Sequence, residues 1–279
     1  ELPTGYWPLS KSEEMLKKTE TIRLAPDPCS LTADEKSGLK DLLEVGNFMQ
    51  KLYEEQLHHQ AAYALDRLKV LDVQLGHTKA TQNLLDLYRL NKGPIASTLT
   101  NEREAFLPVD GQRPQRNMYP LDATKEEIDA FLAANPASRD EILGERTVVR
   151  RATKENLGRD LQILNVYAEL RALHPEEYQR LREARQGAGN PQFFYAVPYS
   201  IAYADSIVPA FRLLTRASNS FQASDPEFAR YLRNRARDLL SNDYESGDAS
   251  WVTGRFKKFH AQIGAYETYD DGLYGVKAF

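Results

Sequence analysis

The sequence predicts a mainly helical α+β protein with few strands, and three observations support this. Apolar residues recur at three- and four-residue steps over long stretches, which is the period of a helix with one buried face. Capping-box pairs, in which each side chain satisfies a free backbone N–H at a helix start, precede two stretches: Thr32 with Glu35, and Thr124 with Glu127. The best strand candidate in the middle of the chain is the β-branched segment 146–151.

The apolar pattern in the first half of the chain predicts two or three antiparallel helices. The first helical face comprises Leu39, Leu42, Leu43, Met49, Leu52, Tyr53 and Leu57. The period resumes at Leu65, Leu68, Leu71, Leu84, Leu85 and Tyr88. Gly93 and Pro94 then interrupt it, and the polar stretch 98–120 favours a loop or short strands.

The second half alternates helical patterns with breaks. A short helix after Thr124 ends at Pro136, and a helical period covers 157–173 before a break at 174–175. A linker at 186–191 leads into an aromatic segment, 193–203. A later helix starts with Asp225 as N-cap and Pro226 at the first helical position. The segment 260–269 is predicted to form a strand and a turn.

Composition excludes several classes of protein. The net charge of −4 and the mixing of acidic and basic residues give no basic face, so we expect no nucleic-acid partner. No run approaches the roughly 18 apolar residues of a membrane span, so we expect no membrane partner. Cys29 is the only cysteine, which excludes an internal disulfide, and it is interpreted as a bystander.

The two ends of the sequence suggest a piece of a longer protein. The chain begins with Glu1 rather than Met, which predicts that an upstream segment was removed and leans weakly towards an exported or periplasmic bacterial protein. Residues 274–279 form a rising apolar pattern without a stop signal, typical of an element that continues. The compartment otherwise stays open.

Neither the histidines nor the arginines indicate a complete site. None of the five histidines belongs to a metal-spaced pair, so each is expected to have a structural or solvent role. No phosphate-binding or serine-hydrolase motif is present. The arginines of the 225–240 helix are predicted to form a solvated face: Arg230, Arg233, Arg235 and Arg237.

The run 263–275 combines three carboxylates and three tyrosines between glycines. A strand would place Glu267 and Tyr269 on the same face, two residues apart. A carboxylate beside a phenol can bind an ammonium group through charge-assisted and neutral hydrogen bonds. The spacing alone leaves an acidic surface turn equally open.

The segments 241–251 and 263–279 resemble the dipeptidyl peptidase III-related zinc metallopeptidases, most closely the bacterial and Nudix-associated branch. Segments 117–127 and 147–151 are also similar, so the resemblance covers roughly residues 30–279. It implies a two-lobed peptidase, of which residues 1–279 form a single N-terminal lobe, ending before the zinc-binding helices.

The resemblance also implies roles for individual residues. Glu267 and Tyr269 correspond to the pair that holds the free amino terminus of the peptide substrate. Zinc belongs to the full-length family member, where two His and one Glu bind it and another Glu acts as general base. The matching motif lies beyond this chain, so no catalytic or metal-binding residue is assigned and no metal is expected. Ala265 and Gly247 depart from the family pattern and suggest an altered or relaxed substrate site.

Three functional hypotheses follow. The chain is the substrate-binding part of a zinc-dependent exopeptidase, whose partners are the peptide and the missing zinc-bearing part. Alternatively it is a non-catalytic peptide-binding module, or a helical structural protein without a ligand. We expect no peptidase activity from residues 1–279 alone, because no zinc-activated water can be assembled.

Overall fold

The computed structural model describes residues 2–187 and 189–279. The chain packs as two compact units. The first comprises Glu1–Asp27 and Gln50–Asn117, and the second comprises Pro28–Met49 and Met118–Phe279. The predicted fold class, mainly helical with few strands, is confirmed. None of the helices in the described residues is both long and apolar enough to cross a membrane.

Helices are the main elements of both units. They are α1 (Leu9–Leu16), α2 (Ala33–Leu57), α3 (Ala61–Gln74), α4 (Lys79–Asn91), α5 (Lys125–Ala134), α6 (Arg139–Ile142), α7 (Lys154–Val166), α8 (Ala168–Leu173), α9 (Pro175–Gln186), α10 (Tyr199–Ala202), α11 (Ala204–Phe221), α12 (Pro226–Ser241) and α13 (Glu245–Thr253). The strands are β1 (Ile95–Ser97), β2 (Arg103–Ala105), β3 (Thr147–Ala152) and β4 (Asn190–Pro198). Short 3-10 helices cover Pro136–Ser138 and Thr268–Asp270.

The first unit packs α1 and α3 against α4, beside the antiparallel hairpin of β1 and β2. Leu68, Leu84 and Tyr88, predicted from the helical period, lie in its core. Helix α4 ends where Lys92 adopts a left-handed conformation, immediately before the predicted break at 93–94. The stretch 98–120 contains only the short strand β2, as expected.

The second unit combines the α11–α12 pair with an antiparallel sheet of β3 and β4. Val149 lies opposite Ala196, which confirms the predicted strand. The predicted break at 174–175 separates α8 from α9. Of the linker predicted at 186–191, residue 188 lies outside the described residues. The Asp225 side chain accepts the Phe228 backbone N–H at 3.1 Å, so the predicted N-cap of α12 is also confirmed.

The prediction for the α2 face is partly wrong. The part of α2 that belongs to the second unit, residues 33–49, buries Glu35, Asp41 and Val45, whereas Leu43 is 65% exposed. The carboxylates turn inwards because cations of the same unit bind them. Arg216 binds Asp41, and Lys258 binds Glu35. Apolar periodicity misplaced this face because ion pairs rather than leucines define it.

The two capping boxes differ. Glu35 donates its backbone N–H to Thr32 Oγ1 at 3.2 Å, and its carboxylate accepts the Thr32 N–H at 2.9 Å, which confirms the first box. At α5 the Thr124 hydroxyl accepts the Glu127 N–H at 3.2 Å. The Glu127 carboxylate instead binds the Arg151 guanidinium of β3. Only half of the second box forms, because an ion pair to the sheet takes its carboxylate.

The prediction of a strand within 260–269 is wrong. This segment is an irregular loop that ends in the 3-10 helix Thr268–Asp270. Its backbone bonds around Glu267 go to a single residue, Phe279, rather than to a ladder. Gly264, with φ of 158°, lies so close to two aromatic rings that a Cβ would approach Tyr266 to 2.6 Å and Tyr244 to 2.9 Å. A glycine is therefore required where the loop passes these rings.

Candidate functional site

Glu267 and Tyr269 both lie at the surface of the second unit, in the segment that we call the 265–270 loop. Glu267 is exposed and precedes the 3-10 helix, and Tyr269 within that helix is 78% exposed. The pKa of the Tyr269 phenol is raised, first by hydrogen bonding to the Glu267 carboxylate and then by its negative charge. The two residues interact across a helical turn and not on one face of a strand, and their pairing as an ammonium-binding site stays a prediction.

The backbone of the 265–270 loop is fixed on both sides of Glu267. Phe279 O accepts the N–H groups of Tyr266 at 3.0 Å and Glu267 at 3.2 Å, and Glu267 O accepts the Phe279 N–H at 3.2 Å. One residue earlier, Arg146 Nε donates to Ala265 O at 3.1 Å. Glu267 thus projects into solvent from a backbone that is held in place.

Asp271 plays a different part from the two exposed residues. It is 2% exposed, and its carboxylate accepts the backbone N–H groups of Leu273 at 2.9 Å and Lys277 at 3.3 Å. Tyr119 donates its hydroxyl to the same carboxylate at 3.2 Å. Asp271 therefore shapes the turn after the loop. The three carboxylates of the acidic run are not one ligand set.

Lys277 and Ala278 anchor the last residues to the turn between α6 and β3. Lys277 is fully buried, and its Nζ donates to Ile142 O at 2.7 Å, Gly144 O at 2.9 Å and Thr147 Oγ1 at 2.7 Å. Burial lowers the pKa of Lys277 to about 7, against the opposing effect of nearby carboxylates. Tyr199 donates its hydroxyl to Ala278 O at 2.6 Å.

Next to the loop lies a charge cluster in which Arg235 and Asp238 are buried and the other two members are partly exposed. We call it the Arg235 cluster: Arg235, Asp238, Asp248 and Tyr266. Tyr266 donates its hydroxyl to Asp248 Oδ1 at 2.6 Å, and Arg235 Nη2 donates to the same oxygen. Arg235 Nη1 lies 3.2 Å from Asp238 Oδ2, and both side chains are 1% exposed.

The prediction that Arg235 belongs to a solvated face is wrong, since the residue is buried, while Arg230, Arg233 and Arg237 are exposed. A signal was available in the spacing. Position 235 follows Phe228 by seven residues and Tyr231 by four, and both of these line the inner face of α12. An arginine on that face needs carboxylate partners, and the buried Asp238 and the partly exposed Asp248 supply them.

Gly247, one of the two departures from the family pattern, has a structural reason. Its N–H donates to Asp238 Oδ2 at 2.9 Å, and a Cβ at this position would lie 2.0 Å from that oxygen. Ser246 Oγ also donates to Asp238, at 2.7 Å. A side chain at 247 would displace the carboxylate that binds Arg235. At the other departure, Ala265, the loop uses the backbone carbonyl.

The residues that could hold zinc are engaged elsewhere. His174 Nε2 contacts Leu240 O at 2.7 Å, and His77 Nδ1 contacts Asp72 Oδ2 at 2.8 Å. His58 and His59 stack on each other at 5.0 Å, and His260 packs on Trp251 at 5.4 Å. Across residues 2–187 and 189–279, no three His, Cys, Asp or Glu side chains converge on a position that fits a metal.

A surface groove of the first unit is a different feature. It is lined by residues of α1, α4 and the segment between 17 and 22, including Leu16, Ile22 and Leu90. Its polar lining mixes acidic with basic residues, such as Glu13 and Lys17. The groove belongs to the first unit, whereas the carboxylate–phenol pair belongs to the second.

The comparisons with known proteins agree on one fold. A dipeptidyl peptidase III from Caldithrix abyssi superimposes with a TM-score of 0.71 over 95% of this chain, at 22% identity. One from Corallococcus sp. strain EGB gives the same TM-score over 98% of the chain, at 24% identity. The chain has a dipeptidyl peptidase III-like fold.

This fold corresponds to a part of those proteins, since the chain spans 42% of each of the two solved chains. Among the curated proteins, Nudix hydrolase 3 from Arabidopsis thaliana is 23% identical over 95% of this chain and 35% of its own length. No family model matches the sequence. The likeness therefore establishes a dipeptidyl peptidase III-like helical lobe.

Proposed function

We propose that this chain is the substrate-binding part of a dipeptidyl peptidase III-like exopeptidase, in which Glu267 and Tyr269 bind the free amino terminus of a peptide. The observation that supports the proposal is that Glu267 and Tyr269, two residues apart, are both exposed on a loop whose backbone is fixed by Phe279 and Arg146. The dipeptidyl peptidase III-like fold supports the peptide as the ligand class.

The chemistry of the pair fits an ammonium group. The carboxylate accepts N⁺–H donors in charge-assisted hydrogen bonds, which are about twice as strong as neutral ones. The Tyr269 hydroxyl offers a further acceptor at the same place. A raised phenol pKa keeps Tyr269 neutral at physiological pH, so the pair presents one negative charge to one positive charge. The pair thus has a physical preference for peptides with free amino termini.

Zinc and the hydrolytic step belong to the proposal only through residues outside this chain. The two His and the Glu expected to bind zinc, and the general base, are supplied by the remainder of a longer protein. The role of residues 1–279 is then to bind and orient the peptide. The whole chain is proposed to be one lobe of that protein.

The first test compares peptide binding by the 279-residue chain and three variants. Isothermal titration calorimetry with millimolar tetra-alanine is expected to show binding by the unaltered chain. Glu267→Gln should weaken it about tenfold, because a charge-assisted hydrogen bond is lost, and Tyr269→Phe about threefold.

The matched control is Glu126→Gln, which removes one exposed negative charge of the same unit without touching the loop. Its affinity for tetra-alanine should equal that of the unaltered chain. Absence of binding by the unaltered chain, or equal losses in Glu267→Gln and Glu126→Gln, would contradict the proposed function.

A further inference from the structure

Tyr266 connects the exposed pair to the protein interior. It immediately precedes Glu267 in the chain. Its hydroxyl donates to Asp248 Oδ1 at 2.6 Å, and its ring meets Tyr244 edge-on at 6.1 Å. These contacts hold the Tyr266 side chain, while the Glu267 side chain is exposed. The Arg235 cluster therefore restrains the residue next to Glu267.

The Arg235 cluster fixes Asp248 in turn. Arg235 donates to Asp248 and is within 3.2 Å of Asp238, so one buried cation bridges two carboxylates. Its guanidinium carbon lies 5.1 Å from the Tyr244 ring centre and 5.8 Å from that of Tyr266. Arg146 also lies 4.4 Å from the Tyr244 ring centre and 5.8 Å from that of Tyr266. Each of the two tyrosine rings is thus close to two cations.

Stability is a weak reason for such a cluster. Removing charges from water costs several kcal/mol per ion, and apolar replacements of a buried ion group are often as stable. What an ion group provides that an apolar core lacks is direction, since each hydrogen bond fixes one atom against another. Here the hydrogen bonds run from Arg235 through Asp248 to Tyr266, next to the residue proposed to bind the ligand, and Asp238 adds an ion pair to Arg235.

We propose that Tyr266, Asp248 and Arg235 are positioning residues, which orient Glu267 for binding the amino terminus of a peptide. This inference rests on the function proposed above. It assigns the residues of 241–251 a common role with those of 263–279. The Gly247 N–H binds the Asp238 carboxylate, which lies against Arg235. The Tyr266 hydroxyl binds Asp248 and so connects the Arg235 cluster to the 265–270 loop.

The test uses two tyrosine variants that lose similar hydrogen bonds. Tyr266→Phe removes the donor to Asp248, and the control Tyr274→Phe removes a donor to Asp129 Oδ1 at 2.8 Å. Affinity for tetra-alanine is expected to fall about fivefold in Tyr266→Phe and to stay unchanged in Tyr274→Phe. Asp248→Asn is the second variant, with a similar expected loss.

Two readouts separate positioning from folding. Melting temperatures of Tyr266→Phe and Tyr274→Phe should be similar, and affinity for N-acetyl-tetra-alanine should be the same in both. Unchanged tetra-alanine affinity in both Tyr266→Phe and Asp248→Asn, while Glu267→Gln loses affinity, would overturn the inference and leave the proposed function standing. Unchanged affinity in Glu267→Gln would overturn both.

Discussion

Arg235→Met is expected to lower the free energy of unfolding by about 3–5 kcal/mol, because a broken buried ion group leaves uncompensated charge. Asp238 is 1% exposed, and burial already raises its pKa, while hydrogen bonds from Ser246 and Gly247 and the positive charge of Arg235 oppose that shift. Without the guanidinium, Asp238 would remain buried next to Gly247 with no cation. Chemical denaturation monitored by circular dichroism measures the change.

The control for this prediction is Arg230→Met on the same helix. Arg230 is exposed, so its replacement should change the free energy of unfolding by no more than about 0.5 kcal/mol. Adding Asp238→Asn to Arg235→Met should cost less than the sum of the two single changes, because the two residues share one interaction. Equal free energies of unfolding for Arg235→Met and Arg230→Met would show that the Arg235 cluster does not contribute to stability.

Lys277→Met is expected to change how stability depends on pH. Burial lowers the pKa of Lys277 from its ordinary 10.5 to about 7 in the folded protein, although Asp271 and Glu141 act in the opposite direction. Between pH 7 and pH 10.5 the Lys277 side chain is protonated in the unfolded chain and mostly neutral in the folded protein. The free energy of unfolding therefore rises with pH in this range, and this stability is lost as the pH falls towards 7. The unaltered protein should gain about 2 kcal/mol relative to Lys277→Met between pH 7 and pH 9.

Urea titrations of both proteins at pH 7, 8 and 9 measure this difference. All other titratable groups are present in both proteins, so their effects cancel when the two are compared. A constant difference in the free energy of unfolding between the two proteins at all three pH values would contradict this prediction. It would mean that the Lys277 side chain is not buried against the carbonyl oxygens of Ile142 and Gly144.

Local sequence signals predicted much of the fold. The caps at Thr32 and Asp225, the break before Pro175 and the strand around Val149 all depend on neighbouring residues, so the sequence shows them directly.

Features that depend on distant partners were not predictable in this way. The 265–270 loop is irregular because Glu267 binds Phe279 and Ala265 binds Arg146, which are 12 and 119 positions away. The burial of Arg235 depends on Asp248 in the next helix. Polar networks of this kind produce no periodic pattern in the sequence, because the periodicity of apolar residues indicates only the apolar faces of helices and strands.

The most direct test of the proposal that Glu267 binds the peptide amino terminus is a double-mutant cycle between Glu267 and the amino group of the ligand. Calorimetry would measure four affinities, those of the unaltered chain and of Glu267→Gln for tetra-alanine and for N-acetyl-tetra-alanine. We expect acetylation to weaken binding to the unaltered chain about tenfold and to have almost no effect on Glu267→Gln. An equal effect of acetylation on both proteins would contradict the assignment of Glu267 as the residue that binds the peptide amino terminus.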